Sequence, residues 1–218
     1  MPANVEERAG GVIELDFGPG MGTAQGTVSV WEPPTRFVHL GSGAAGNPVA
    51  YEWRVDARSG GTCVVRLVSS GFLSEADWQA EYDGTAEGWQ LFLNNLRLYL
   101  SHFAGQRCAS MLAQQLSDAA PEDAWRRLVG SLGLPEAPSV GQQVRVSNGP
   151  ALSGRVERFQ ARLMTLLLDA PSRGIGVVGV ESFDGKGLPM VYLYLFGADA
   201  EEAIRRDEAA WREWITRT

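Results

Sequence analysis

The chain has 218 residues, of which 44% are apolar and 21% charged, and its formal net charge is −7. That composition excludes a disordered chain and leaves room for one large core or two smaller ones. The acidic balance excludes a general nucleic-acid binder and disfavours an anionic membrane surface, because no basic excess exists to neutralise phosphates.

Cys63 and Cys108 stand far apart, without the paired spacing of a metal site, which points to a reduced, cytoplasmic setting. No basic start followed by an apolar run is present near Met1, so no signal peptide is expected. The longest apolar runs, such as Met190–Phe196, are too short to cross a bilayer.

The first ten residues are polar and are expected to fray. From Gly11 the text alternates, with Ile13, Leu15 and Phe17 on one face and Glu14 and Asp16 on the other, which is a half-buried strand. Residues 18–26 form a glycine-rich connection. Their glycines (Gly18, Gly20, Gly22, Gly26) miss the phosphate-loop spacing because Thr23 stands where a glycine is needed, so the run reads as a hairpin turn. Thr27–Trp31 resumes strand character until Pro33 and Pro34, which cannot donate to a ladder.

Arg36–Leu40 is a short strand. Val49, Tyr51, Trp53 and Val55 then alternate with polar neighbours, and Gly60-Gly61 supplies the turn into a returning strand over Thr62–Ser70. Strands joined by such short connections predict an antiparallel meander. A long helix follows, with Ala86, Trp89, Leu93, Leu96, Leu100 and Phe103 at three- and four-residue spacing. Leu91 and Leu98 lie nearly opposite that stripe, beside Asn95 and His102. This second apolar face calls for cover from the other half of the chain or from a second copy, so Leu91, Leu98 and His102 are candidate interface residues.

Ala104–Asp118 reads as a helical continuation or linker. Pro121 starts a new helix with Trp125, Leu128, Val129 and Leu132 in a stripe, closed by Gly133. Strands are predicted at Gln143–Ser147, Leu152–Phe159, Leu163–Leu168, Ile175–Glu181 and Met190–Phe196. A helix over about 200–217 ends the chain, with Ile204, Trp211, Trp214 and Ile215 on one side. Several strands followed by a helix thus occur twice, without a residue-level repeat.

Three blocks carry a family resemblance. The Trp31, Pro33, Pro34 corner, the Gly60-Gly61-Thr62 hairpin and the helix opening at Gly88-Trp89 resemble the SRPBCC (START-like) superfamily. More narrowly, they are similar to bacterial proteins akin to the activator of heat-shock protein 90 ATPase. The resemblance implies an α+β helix-grip fold, in which a curved antiparallel sheet wraps a long helix around a hydrophobic cavity. It covers residues 11–105. Residues 106–120 would be a linker or helix extension, and 121–218 a C-terminal α+β domain, read as a degenerate second helix-grip unit. Family members normally carry a strand and two short helices before the position of Gly11. The unit therefore reads as N-terminally truncated, its sheet edge closed by the C-terminal half or by a homodimer partner.

The function implied is binding of an apolar small molecule or a protein partner, with Trp31, Tyr51, Trp53, Trp89 and Phe92 lining the site and Arg66 gripping a ligand carboxylate. For Arg66 the reading preferred on the residues alone is an outer-face ion pair across the hairpin with Glu52 and Arg54 nearby. Trp78 and Tyr82 complete the aromatic set, and Gly84 and Gly88 leave a shallow spot on the helix. With His39 in a strand and His102 near a helix end, no histidine metal site is expected, and Cys63 reads as a packed thiol. No cofactor is implied. The sequence leans against an enzyme; the alternatives are a co-chaperone-like interaction protein and an aromatase/cyclase-type enzyme acting in the cavity.

Overall fold

A computed structural model describes residues 3–16, 22–42, 47–71, 78–183 and 185–217, the side chains of 78–88 and 183 apart. Gly18, Gly20, Phe17 and the side chains of Trp78, Tyr82, Gly84, Ala86 and Gly88 therefore lie outside the described residues. The chain divides into two compact units, residues 1–92 and 93–218, with the boundary inside a helix.

The N-terminal unit is built on a six-stranded antiparallel meander in sequence order: β1 (Ala3–Val5), β2 (Val12–Asp16), β3 (Thr23–Glu32), β4 (Arg36–Ser42), β5 (Pro48–Ala57) and β6 (Cys63–Ser70). The alternation read at Ile13, Tyr51 and Trp53 is the alternation of these strands. Between β5 and β6 the chain makes a single 3-10 turn, with Gly60 at φ 73° and Gly61 at φ 71°, a backbone that side-chain-bearing residues resist. Helix α1 (Trp78–His102) follows.

The expectation that the first ten residues fray is corrected. Ala3, Asn4 and Val5 pair with Leu15, Glu14 and Ile13. The Glu6 carboxylate then accepts from the Val12 and Arg8 nitrogens, at 3.1 and 2.7 Å, and folds the connecting turn. Polar side chains do not prevent a strand whose inward backbone groups pair with a neighbouring strand.

The C-terminal unit contains the end of α1, then β7 (Cys108–Gln114), α2 (Pro121–Leu132), β8 (Gln143–Arg145), β9 (Ser153–Gln160), β10 (Leu163–Ala170), β11 (Gly174–Phe183), β12 (Lys186–Phe196) and α3 (Ala200–Ile215). Its sheet order is β7-β12-β11-β10-β9-β8, so the first strand returns beside the last. The linker or helix expected at 106–120 is thus corrected in part to an edge strand. Ala109, Met111 and Ala113 point to one face and Cys108, Ser110 and Leu112 to the other. Small residues hide that alternation from a hydropathy reading.

Helices α2 and α3 cover one face of this sheet. Trp125, Leu128, Val129 and Leu132 of α2 and Trp211 and Ile215 of α3 join Val156, Met164, Leu166, Val178 and Leu193 in one core. Pro121 opens α2, where its missing N–H has no intrahelical role, and Gly133 closes it at φ 70°. Ile175 and Phe196 sit on the sheet's other face and meet Leu98 and Phe103. Burial on both faces explains why Met190–Phe196 reads as an unbroken apolar run.

That contact changes the expected ranking of the faces of α1, burying Leu98 together with Phe103 of the main stripe. Leu98 is fully buried and Leu91 is 8% exposed, whereas Leu100, placed in the main stripe, is 50% exposed. Leu98 is covered by the chain's own Ile175 and Phe196. His102 is exposed, with the Phe103 ring 6.1 Å away. Cys63, expected as a packed thiol, is also exposed.

Candidate functional site

The register of the N-terminal sheet aligns its aromatic residues. Trp31 stands opposite Phe37, Phe37 opposite Trp53, and Trp53 opposite Leu67; in the next inner row Val28, His39, Tyr51 and Ser69 face one another. Residues two apart on a strand share a face, so both rows lie on one side of the sheet. Helix α1 lies on that side, since Trp89 meets Tyr51 at 5.5 Å and Trp53 at 5.4 Å between ring centroids.

The rings form a connected path. Trp31 meets Phe37 edge-on at 5.4 Å, Phe37 stacks on His39 at 5.4 Å, and His39 stacks on Tyr51 at 5.0 Å. From Tyr51 the path crosses to Trp89 and on to Phe92 at 6.1 Å. These separations fall in the range where aromatic pairs attract. Trp31, Phe37, Tyr51, Trp53, Trp89 and Phe92 are all half-buried. The apolar side chains fully enclosed in this unit are instead aliphatic: Ile13, Val28, Val38, Val49 and Leu91.

His39 is the buried exception, at 5% exposed. Loss of solvent around the imidazole lowers its pKa from the usual 6.5, favouring the neutral form. It is clamped between the Phe37 and Tyr51 rings, in the row that runs on to Ser69.

The opposite face carries the charges. Glu52 accepts from Arg36 Nε at 2.6 Å and Arg54 Nε at 2.9 Å, and these two guanidiniums hold its carboxyl below the usual range, Arg54 contributing most. Arg66 pairs with Asp56 at 2.9 Å and is largely exposed. The five aromatic residues expected at the site are therefore brought together, and Arg66 is not among them. Its position on the strand alternates with Val65 and Leu67 and so turns away from the rings, which corrects its expected role at a ligand carboxylate. Phe37 and His39 are the site residues the sequence reading missed. The alternation of Arg36–Leu40 placed both on one face, but only their register against Trp53 and Tyr51 puts them in the path. Among the described residues, no group of three His, Cys, Asp or Glu side chains is placed to hold a metal ion. No helix of the described residues is long and apolar enough to cross a membrane.

No protein-family model and no curated protein matches the chain, so the narrower resemblance to activators of heat-shock protein 90 ATPase finds no support. Solved structures do overlap with it. DynU16, described as a putative protein in the dynemicin biosynthetic locus, is 18% identical with a TM-score of 0.37, over 95% of this chain and 81% of that one. The di-domain ARO/CYC BexL from the BE-7585A biosynthetic pathway is 15% identical, TM-score 0.38, over 98% and 81%. The di-domain ARO/CYC StfQ from the steffimycin biosynthetic pathway is 12% identical, TM-score 0.40, over 99% and 85%.

By its own topology the chain is an α+β protein with two sheet-and-helix units. The leaning of the sequence reading against an enzyme is withdrawn, two of these three structures being named as di-domain aromatase/cyclases.

Proposed function

We propose that the N-terminal unit takes up a small molecule built of planar apolar rings, or of a chain about to become such rings, on the helix-bearing face of its sheet. The observation that carries this reading is the connected aromatic path whose six large rings all stay half-buried. A side chain of this kind hides about 150–250 Å² when it enters a core, and a unit closed upon itself would bury at least some of them. Left half-open in a contiguous row, they supply stacking surface worth about 0.5–1.5 kcal/mol per ring pair beyond area burial.

The chemistry proposed for this face is ring closure of the aromatase/cyclase kind, with His39 as the proton carrier. Closing a ring in a molecule with spaced carbonyl groups requires a base to take a proton from the carbon between two of them. The carbanion adds to a further carbonyl and forms the new carbon–carbon bond. The imidazolium returns its proton to the alkoxide, and loss of water then leads toward an aromatic ring. The step needs no oxidant or reductant. A neutral imidazole held between two rings suits it, because burial favours the free base, the form that takes up the proton.

Binding is tested by titrating the protein with a neutral hydroxylated anthraquinone and following the quenching of tryptophan fluorescence. Saturable quenching is expected, weakened about tenfold by Trp53→Ala or Trp89→Ala, the equivalent of about 1.4 kcal/mol. Affinity indifferent to both substitutions would overturn the site. Turnover is tested with a linear poly-β-keto thioester, scored by the absorbance of the aromatic product. His39→Gln is expected to abolish product while retaining anthraquinone binding.

A further inference from the structure

On the ring-bearing face of the N-terminal sheet, the position beside His39 carries no side chain. Phe37, His39 and Gly41 alternate onto that face from β4. His39 is bounded by Phe37 along its own strand, by Val28 across in β3 and by Tyr51 across in β5. On the remaining side, toward the end of the strand, its neighbour is Gly41.

Neither backbone nor packing demands a glycine there. Gly41 lies outside the left-handed region, and a Cβ built on it would meet, among the described residues, only Cε2 of Tyr51, at an ordinary 3.9 Å. The other sheet and turn glycines described in this unit each have a structural cause. Gly10, Gly22, Gly60, Gly61 and Gly71 have φ of 71° to 104°. A Cβ on Gly11 would stand 2.5 Å from the Glu6 carbonyl oxygen, and one on Gly26 2.2 Å from that of Leu40. Glycine weakens the interior of a strand, and one without such a cause marks a place where something approaches the backbone closely.

His39 provides the second observation. It is 5% exposed, yet among the described residues neither of its ring nitrogens has a hydrogen-bond partner. A neutral imidazole carries one donor and one acceptor, and burial leaves both to be satisfied.

From this geometry we infer that Gly41 is the specificity-determining position of the ring face: its missing side chain leaves the gap in which an uncharged oxygen substituent of the bound molecule reaches His39. A carbonyl would accept from the imidazole N–H, and a hydroxyl would donate to the bare nitrogen. An uncharged group is favoured over a carboxylate because Arg36, Arg54 and Arg66 are paired with Glu52 and Asp56 on the opposite face. The inference rests on the ring-binding reading and adds to it which part of the ligand lies where.

The test is tryptophan quenching of the full chain by two probes, anthraquinone and an anthraquinone bearing one hydroxymethyl group. The unaltered chain is expected to bind the hydroxymethyl compound about tenfold more tightly. Gly41→Ala is expected to reduce that preference and Gly41→Val to erase it, with affinity for anthraquinone itself held within about twofold. In urea, neither variant should lower the unfolding midpoint, whereas Gly26→Ala should, because its Cβ strikes backbone. Four outcomes overturn the inference and leave the ring-binding reading standing: no preference in the unaltered chain, a preference that survives Gly41→Val, equal weakening of both probes, or a midpoint that Gly41→Ala lowers as far as Gly26→Ala does. Absence of saturable quenching by either probe in the unaltered chain overturns both together. Should Gly41→Val fold poorly, Gly41→Ala, which adds a single carbon, decides.

Discussion

Replacing Leu98 with alanine separates the two faces of α1 in energy. Leu98 is fully enclosed by Phe103, Ile175 and Phe196, and the Phe103 and Phe196 rings are themselves stacked at 4.3 Å. Truncation removes three carbons from a site whose walls are a strand residue and two mutually braced rings, so little collapse into the gap is open to it. Leucine-to-alanine changes at enclosed sites cost about 2–5 kcal/mol, and rigid walls place this one in the upper part of that range. Leu100, two residues on and 50% exposed, is expected to cost less than about 0.5 kcal/mol when changed the same way.

Urea unfolding followed by circular dichroism, with hydrogen exchange resolved over β11 and β12, reads both. Leu98→Ala should lower the protection of Ile175 and its neighbours, and Leu100→Ala should not. Equal losses, or a larger loss at Leu100, would refute the packing described for this helix.

Two further outcomes follow from local geometry. Burial lowers the pKa of His39 below the 6.5 of an unfolded chain, so the unfolded state binds more protons in the window between the two values. The contribution of this group to stability is complete above pH 6.5 and is lost as pH falls toward the folded-state value. Thermal unfolding between neutral pH and pH 5 should show that decline, and His39→Phe should flatten it; an unchanged slope would count against a buried neutral imidazole. Gly133→Ala combines a left-handed backbone with a built Cβ only 2.0 Å from the Ser147 hydroxyl oxygen. It is expected to cost more than the roughly 1 kcal/mol of the backbone term alone, and adding Ser147→Ala should recover part of the loss in a double-mutant cycle.

Much of this architecture is legible in the chain itself. Period-two patterning marks strands such as β2 and β5, because a half-buried strand must alternate, and an unbroken apolar run marks β12, because both its faces are buried. Pro121 and Gly133 bracket α2, because each residue suits only one end of a helix. Strand β7 escapes that reading, since alternating alanine, serine and methionine produce almost no hydropathy contrast. Strand β1 escapes it because its evidence is backbone pairing, to which side chains testify poorly.

The aromatic site divides along the same line. Trp31, Tyr51, Trp53, Trp89 and Phe92 were visible as residues and even as faces, for alternation and helical period are properties of a segment. Their association with Phe37 and His39, the exclusion of Arg66 and the ranking of Leu98 over Leu100 were decided by cross-strand register and by which surface met the helix. Those are contacts between segments distant in sequence. A local pattern records that a face is apolar, but which partner buries it, and which face is left half open, is settled only when the segments meet.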